Sequence, residues 1–289
     1  MTNFLLLLLL VSLGAGGSIS IKIGLTSFTP VLFIFLRFAL AIATLLPFLD
    51  RNIFITLRKT PRKVYLVSLL AVANVVLFAF GIRLTSVIVS SILYTLTPII
   101  IGLLSHFFLK HRFKRNEIAG VLIGFIGALF IVLVPLFENH AQAQSSFLGN
   151  LILISAISCF ALYTVLLAPL QKGKSKKEIN LAFFSITFVL LLFGVITAWL
   201  TKQPLIIAGP STQSILGLLF SGILSTSFFY LLYQRLIEKG GPLYASLSFY
   251  LNPIAASIFG AIILHERLTP QLIIGGGITF LGVWLYGRK

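Results

Sequence analysis

The sequence predicts an all-α integral membrane protein with ten transmembrane helices, arranged as two inverted five-helix repeats. Three observations support this prediction. Hydrophobic residues make up 58% of the 289 residues and charged residues only 10%, whereas a soluble domain is about one quarter charged. Ten apolar segments come close to or exceed the roughly 20 residues that a transmembrane helix needs. One stretch of the first half recurs in the second half, and the two copies carry differently charged connections.

Each predicted span ends at a turn or charge signal. In the first half the spans cover residues 4–23, 30–49, 64–82, 87–109 and 118–137, separated by Thr29-Pro30, Asp50–Lys63, Thr85-Ser86 and Lys110–Arg115. In the second half they cover residues 147–169, 179–200, 211–234, 243–264 and 270–287, separated by Lys172–Glu178, Lys202–Pro210, Lys239–Pro242 and Thr269-Pro270. The run Phe4–Leu13 resembles the apolar part of a secretory signal, but no basic residue precedes it and the apolar stretch continues to Ile23. We therefore interpret it as part of the first transmembrane helix.

The internal repeat relates Thr97–Gly127 to Asn252–Gly282 without a gap. Each copy has a proline after Thr or Asn, a long apolar run, a short polar connection and a glycine-containing helix. The matched residues lie 155 positions apart, so that Pro98, Leu109, Arg112, Gly120 and Gly127 precede Pro253, Leu264, Arg267, Gly275 and Gly282. The connection KHRFKR of the first copy is strongly basic, whereas HERLTP of the second is neutral. Because basic loops stay in the cytoplasm, the two copies should face opposite sides of the membrane.

The distribution of basic residues predicts the orientation. The loops and the C-terminus on one side hold five, four, four, two and two Lys or Arg residues, seventeen in all, and the other side holds only Arg83, Lys202 and Arg267. Both termini are therefore expected on the cytoplasmic side of the inner or plasma membrane. Since each repeat has an odd number of helices, the second repeat is inverted, as in many secondary transporters. The repeats are residues 1–137 and 147–289, and residues 138–146 form an external linker.

Composition and motifs exclude several other classes of protein. The net charge of +16 would suggest nucleic acid for a soluble protein, but here the basic residues lie in short runs between apolar segments, where they face cytoplasm and anionic lipid. No metalloprotease, serine-hydrolase or phosphate-loop motif occurs, and Cys159 is the single cysteine. We predict no enzyme activity, catalytic residue, cofactor or metal. The expected partners are the bilayer and a small-molecule substrate, with the chain as a monomer or homodimer.

Charged residues and prolines inside the spans are candidate structural or gating residues, because polar groups are costly in a bilayer. Lys22 lies at the outer end of the first helix, where its side chain can reach the interface. Arg37 lies about 10 Å into the second helix and either binds helix-end carbonyls or contacts an anion. Pro98 and Pro253 fall in the middle of predicted helices, where they either bend the helix for function or kink it for packing.

Neutral polar residues at similar depth form a candidate substrate site. No Asp or Glu lies in mid-membrane, so we expect neither a carboxylate proton relay nor a carboxylate site for a cation. Each polar residue alone is more typical of a helix–helix hydrogen bond than of a ligand contact. Together they predict a neutral, tyrosine-rich pocket whose members are Ser18, Asn74, Tyr94, Thr97, Tyr163, Ser227, Tyr230, Tyr250 and Asn252.

In these motifs the chain resembles the drug/metabolite transporter superfamily, of the EamA type, over its whole length. The resemblance rests on the two Pro-turn-Gly copies, on Arg37-Phe38, on Ala161-Leu162-Tyr163, which is similar to the family's WAlYt, and on the segment from Gly14 to Lys22, which is similar to its opening WGsxfxxxK. Two positions depart from the pattern, because Leu13 replaces the opening tryptophan and His111 replaces an acidic residue.

The resemblance implies a ten-helix transporter with a central cavity between two inverted repeats. Members move amino acids, nucleotide precursors, amines or other metabolites, often outward. A pocket of Tyr, Asn, Ser and Thr suits an amino acid or a similar amphipathic metabolite, exported by alternating access. The alternatives are a nucleoside-like metabolite such as S-adenosylmethionine, which could stack on tyrosines, and a lipid-handling membrane protein.

Overall fold

The computed structural model describes residues 2–48, 58, 60–84, 93–138, 146–171, 176–255 and 270–287. In the first half the helices are α1 (Thr2–Gly24), α2 (Pro30–Leu45), α3 (Arg62–Leu84), α4 (Thr97–Leu109) and α5 (Arg115–Glu138), and a short 3₁₀ turn, Leu46–Phe48, extends α2. Proline at the start of α2 suits the first helical turn, where an amide hydrogen has no helical partner. Lys110, with φ of 53°, ends α4 in the left-handed conformation.

In the second half the helices are α6 (Phe147–Leu170), α7 (Lys176–Leu200), α8 (Thr212–Gly222), α9 (Phe229–Ser246), α10 (residues 248–255) and α11 (Pro270–Gly287). A π-helical segment, Ile223–Phe228, joins α8 directly to α9. Gly241, with φ of 83° and ψ of 169°, interrupts α9 just before Pro242. Glycine adopts this conformation without strain and proline can open the next turn, so the predicted boundary at Lys239–Pro242 is confirmed.

Six helical stretches within the described ranges are long and apolar enough to cross a membrane. They are Phe4–Ile21, Pro30–Phe48, Arg62–Ile82, Phe147–Leu170, Glu178–Leu200 and Thr212–Ser246. Many large apolar side chains are exposed on the outside of the bundle, among them Phe107, Phe147 and Trp199, as expected for a surface in contact with lipid. The protein is therefore an all-helical, multi-pass membrane protein. The count of ten spans stays a prediction, because the predicted spans 87–109 and 243–264 extend outside the described residues.

The prediction that Pro98 lies in the middle of a long helix is wrong. Residues 93–94 are helical, residues 95–96 form a turn, and α4 starts at Thr97, so Pro98 lies in the first turn of α4. Proline has no amide hydrogen, and the first turn is where that loss costs no hydrogen bond. The chain breaks before the proline and restarts, instead of bending through it. Pro253, by contrast, lies within α10.

Four pairs of helices make the most extensive contacts: α5 with α11, α3 with α6, α2 with α7, and α1 with α8. Each pair joins a helix of the first half to one of the second. In the α5–α11 pair, a Cβ added to Gly120 would lie 2.7 Å from the carbonyl oxygen of Gly282, and one added to Gly127 would lie 2.8 Å from that of Gly275. The two antiparallel backbones are therefore in direct contact, as small residues permit in membranes.

Candidate functional site

Two tyrosines of the predicted site meet in a buried aromatic cluster. The rings of Tyr163 on α6 and Tyr230 on α9 have centroids 6.5 Å apart, and Phe183 of α7 lies 4.9 Å from Tyr230. Both contacts are edge-to-face, the arrangement that aromatic pairs prefer. Because one ring comes from each helix, three helices of the second half converge here.

Asn74 and Tyr94 bring the first half to the same cluster. Asn74 Nδ2, on α3, donates to the carbonyl oxygen of Ala156 on α6 at 2.9 Å. The same nitrogen donates to the hydroxyl of Tyr94 at 3.4 Å. The ring of Tyr94 lies 6.0 Å from that of Phe249 on α10. Tyr94 thus touches both halves of the chain just before the turn that precedes α4.

Phe160 of α6 completes the connection between the two halves. Its ring lies 5.4 Å from that of Phe249 and 6.2 Å from that of Tyr163. Aromatic faces with a few placed polar groups are typical of small-molecule sites. Four residues of the predicted site therefore belong to one continuous set of contacts, which we call the central cluster: Asn74, Tyr94, Tyr163 and Tyr230.

Tyr250 and Asn252 also contact other helices, although Tyr250 lies in the same buried apolar core as Tyr163 and Tyr230. Tyr250 is buried with its ring against Gly124 of α5. Its hydroxyl has no hydrogen-bond partner among the residues that the structure describes. Asn252 lies beside Gly14 of α1. Both residues therefore face neighbouring helices of the bundle, and their contact with a substrate stays a prediction.

Thr97 and Ser227 are buried and use their hydroxyls on the backbone. Thr97 Oγ1 donates to the carbonyl oxygen of Tyr94 at 2.7 Å, which holds the turn before α4. Ser227 Oγ donates to the carbonyl oxygen of Ala41 on α2 at 2.9 Å. Two further predicted residues have side chains outside the described part of the chain: Ser18 and Lys22.

The guanidinium group of Arg37 is buried against the π-helical segment. Its Nε donates to Thr226 Oγ1 at 2.5 Å, and its Nη2 donates to the carbonyl oxygen of Ser225 at 3.3 Å. Thr226 Oγ1 in turn donates to the carbonyl oxygen of Ser221 at 2.7 Å. Neither of the ion pairs found among the described residues involves Arg37. The contacts fit the first of its two predicted roles, the binding of helix carbonyls.

Sequence reasoning missed a buried amide pair beside the central cluster. Gln234 Nε2, on α9, donates to Asn180 Oδ1 of α7 at 2.5 Å and to the hydroxyl of Tyr163 at 3.3 Å. Each amide lies near the end of a predicted span, where a polar residue is ordinarily solvated. The available signal was spacing. Asn180 lies four residues after Lys176, and Gln234 lies four residues before Glu238, a residue whose charge is opposite to that of Lys176. Residues four apart share a helix face.

An apolar groove of about 480 Å³ lies between α2 and α7. It is lined by Ala39, Ile42, Ala43, Leu46, Ser185, Phe188 and Val189. Such a lining suits an acyl chain of the bilayer better than a polar metabolite, which needs a few placed polar groups. None of the predicted site residues lines this groove.

Several known proteins are similar to this chain in sequence. The sequence model of the EamA-like transporter family matches residues 1–133 and 147–288. The uncharacterized transporter YoaV of Bacillus subtilis is 25% identical over 92% of this chain and 90% of its own length. An uncharacterized transporter of Archaeoglobus fulgidus is 27% identical over 99% of this chain and 97% of its own length. A WAT1-related protein of Arabidopsis thaliana is 26% identical over 90% of this chain and 78% of its own length.

A solved crystal structure has a similar fold, with a TM-score of 0.80 over 98% of this chain and 96% of the other. The two sequences are only 15% identical, so this likeness concerns the fold alone. The family match, by contrast, covers both halves and leaves out little more than the predicted linker. Together with the multi-pass helical fold, it shows that the chain belongs to the EamA-like transporter family.

Proposed function

We propose that this protein is a secondary transporter that exports small metabolites, amino acids or related amphipathic solutes, by alternating access. The central cluster is the observation that carries the proposal. It joins the two halves of the chain through the contact between Tyr94 and Phe249. Its aromatic faces supply contact area for the apolar part of a solute, and its few polar groups fix the orientation.

Two inverted five-helix repeats supply the movement in this proposal. The pairing of helices supports such repeats. In them α3 of the first repeat is equivalent to α8 of the second, and α1 of the first is equivalent to α6 of the second. Exchanging the two repeats therefore turns the α3–α6 pair into the α8–α1 pair, and both pairs occur. The glycine contacts support them at residue level. The 155-residue offset turns the contact of Gly120 with Gly282 into that of Gly275 with Gly127, and both contacts occur.

Tyr94 and Phe249 each lie three residues before a matched stretch of the proposed repeats, 155 positions apart, and their rings touch each other. Contact between equivalent residues is a property of a two-fold axis. In the proposed mechanism the central cluster therefore lies on the axis about which the two repeats exchange their roles. A solute bound there is exposed to one side of the membrane and then to the other as the halves rock.

The proposed orientation places both termini in the cytoplasm, and its support is the seventeen-to-three bias of basic residues. Reporter fusions after Lys289 test it. A reporter active only in the cytoplasm should give signal, and one active only outside should be silent. The reverse pattern would refute the orientation.

Transport by purified protein in proteoliposomes tests the function itself. We expect efflux of at least one preloaded, radiolabelled amino acid or related amine, with none from protein-free liposomes. A fluorescent phospholipid in the same vesicles tests the lipid-handling alternative. Movement of the lipid between leaflets without efflux of any solute would contradict the proposal.

A nucleoside-like metabolite is the second candidate substrate, and the density of aromatic rings favours it. The rings of Phe160, Tyr163, Tyr230 and Phe183 form a continuous series of contacts, each ring touching the next. Aromatic side chains provide stacking faces for a base. Including nucleosides and S-adenosylmethionine in the efflux panel separates this candidate from the amino acids.

A further inference from the structure

The contact between α7 and α9 holds two polar layers, one helical turn apart. At its outer edge Lys176 Nζ lies 2.5 Å from Glu238 Oε1, and the two side chains are 25% and 47% exposed. Four residues further along each helix, Asn180 and Gln234 form the amide pair, and both are 0% exposed. The ion pair therefore covers the amide pair at the end of the bundle that is predicted to be cytoplasmic.

The inner side of the amide pair contacts the central cluster. Gln234 is bonded to the hydroxyl of Tyr163. One further turn into the membrane, Phe183 of α7 meets Tyr230 of α9. The amide pair thus lies between the cytoplasmic edge and the aromatic rings, on the line that a solute would follow between them.

The hydrogen-bonding capacity of the amide pair is only half used. Asn180 Nδ2 and Gln234 Oε1 have no partner among the residues that the structure describes. Exchanging nitrogen and oxygen in both amides keeps the existing contacts, with the hydroxyl of Tyr163 then donating, and leaves Gln234 Nε2 and Asn180 Oδ1 unpaired. In either assignment the pair presents one spare donor and one spare acceptor.

Two buried threonines of α6 and α7 are satisfied within the protein. Thr187 Oγ1 donates to the carbonyl oxygen of Phe183 at 2.8 Å. Thr164 Oγ1 donates to the carbonyl oxygen of Phe160 at 2.9 Å and lies 3.2 Å from the hydroxyl of Tyr233.

Unpaired polar atoms also occur at other buried residues, such as Gln171 and Tyr250. Among the residues that the structure describes, however, only the amide pair has its spare donor and spare acceptor on side chains bonded to each other and to a tyrosine of the central cluster. An unpaired buried polar group is costly, so this arrangement favours a partner that the protein itself does not supply.

We propose that Asn180 and Gln234 recognise a solute that carries a hydrogen-bond donor and an acceptor side by side, as a carboxamide or the amide edge of a nucleobase does. The inference rests on the transport function proposed above and specifies the chemistry of its substrate. The spare donor pairs with the C=O of that edge and the spare acceptor with its N–H. The rest of the solute packs on Tyr163 and Tyr230. A carboxylate has no N–H to give, so it leaves the acceptor unpaired.

Two matched pairs of solutes test this recognition on the purified, full-length protein. They are L-glutamine with L-glutamate, and uridine with 3-methyluridine, the second member of each pair lacking the donor. Calorimetry gives the affinities, and efflux from proteoliposomes gives the rates. We expect one donor-bearing member to bind at least about tenfold more tightly than its match, since a site built on hydrogen bonds rejects an analogue that lacks them. A preference for L-glutamine would indicate recognition of a free carboxamide, and a preference for uridine would indicate recognition of a nucleobase edge.

The double variant Asn180→Leu/Gln234→Met removes both amides together. Replacing both partners by apolar groups of similar size is nearly neutral for folding, but the buried hydroxyl of Tyr163 loses its bond to Gln234, so the variant should fold and melt somewhat below the wild-type temperature. We expect its preference between the matched solutes to fall to about twofold or less. Thr187→Val, on the same helix, removes a satisfied polar group and should keep the full preference.

Three results would overturn the inference: no preference in either matched pair, full preference in the double variant, or failure of the double variant to fold, which would make the amides a packing contact. The proposed function has a separate readout. If other solutes of the panel leave wild-type vesicles but neither matched pair shows a preference, transport stands and amide recognition is wrong. If no solute leaves wild-type vesicles, the transport function is wrong, and this inference with it.

Discussion

The α5–α11 contact and the α7–α9 contact lie in one bundle but are built in opposite ways. Between α5 and α11 small residues let the backbones touch, and Gly120 and Gly282 leave no room for a side chain. Between α7 and α9 the contact includes a partly exposed ion pair and half-satisfied amides, besides the ring contact of Phe183 with Tyr230. A backbone contact has one arrangement, whereas polar side chains can exchange partners with water or a solute. We therefore expect α5 and α11 to stay together during transport while α7 and α9 separate at one edge.

The largest effect is expected from a side chain placed in the glycine contact. A Cβ on Gly282 would collide with the backbone nitrogen of Gly124, so Gly282→Val forces two backbones apart. We expect a loss of roughly 3 kcal/mol or more of stability, the upper range for overpacking, seen as aggregation in size-exclusion chromatography. Gly277→Val is the matched control on α11, because a Cβ there meets nothing within 4 Å. Equal behaviour of the two variants would show that the contact tolerates separation.

Substitutions of Arg37 test whether the contact between α2 and the π-helical segment is rigid, as the α5–α11 contact is expected to be. Arg37→Ala removes two hydrogen bonds to a buried charged group, each worth about 1.5–3 kcal/mol. We expect a marked fall in protein level and melting temperature, with residual transport by the molecules that fold. Arg37→Lys, which keeps the charge but lacks the planar fork, should be intermediate. A stable but inactive Arg37→Ala protein would instead make Arg37 an anion site.

A substitution of Tyr94 tests the central cluster, where the two halves of the chain are proposed to move against each other. Its hydroxyl accepts from Asn74, which keeps its bond to Ala156 when the hydroxyl is lost. Tyr94→Phe should therefore cost less than about 1 kcal/mol of stability. If the hydroxyl contacts the solute, the initial transport rate should fall about tenfold.

Moving the hydroxyl across the proposed axis provides the control for that experiment. In the swap Tyr94→Phe/Phe249→Tyr one hydroxyl is present, but the residue 155 positions after Asn74 is Phe229, which offers no amide. We expect the swap to transport no better than Tyr94→Phe. Normal rates in both proteins would remove Tyr94 from the substrate site.

The smallest effect is expected at the edge of the α7–α9 contact. Exposed ion pairs contribute about 0–1 kcal/mol, so Lys176→Gln should leave the melting temperature nearly unchanged. If the pair closes the path, its loss should raise the initial rate of transport by a small factor. Salt screens exposed charges, so added salt should raise the wild-type rate and leave Lys176→Gln unaffected. If added salt changed the transport rate equally in both proteins, the ion pair would have no part in closing the path.

The features that depend on local pattern could be predicted from the sequence, and those that depend on tertiary packing could not. Apolar run length placed α6, α7 and α11 and the start of α8 within a few residues, and the Lys239–Pro242 signal placed the break at Gly241. The amide pair needs α7 and α9 side by side, which no spacing within either helix encodes. The π-helical segment was missed because the composition of Ile223–Phe228 does not distinguish a π turn from an α turn. Pro98 was misplaced because a proline looks the same in the middle of a helix and at its start.

The π-helical segment holds one residue more than the α turn it replaces. A π turn closes its hydrogen bond over five residues instead of four, so each of its residues turns the chain by less than the roughly 100° of an α-helix. Deleting one residue from Ile223–Phe228 and returning the segment to an α turn would therefore leave Tyr230 and Gln234 oriented toward α7. The deletion would instead disturb the segment that receives the hydrogen bonds of Arg37. We therefore expect such a deletion to keep the orientation of α9 and to weaken its joint with α2.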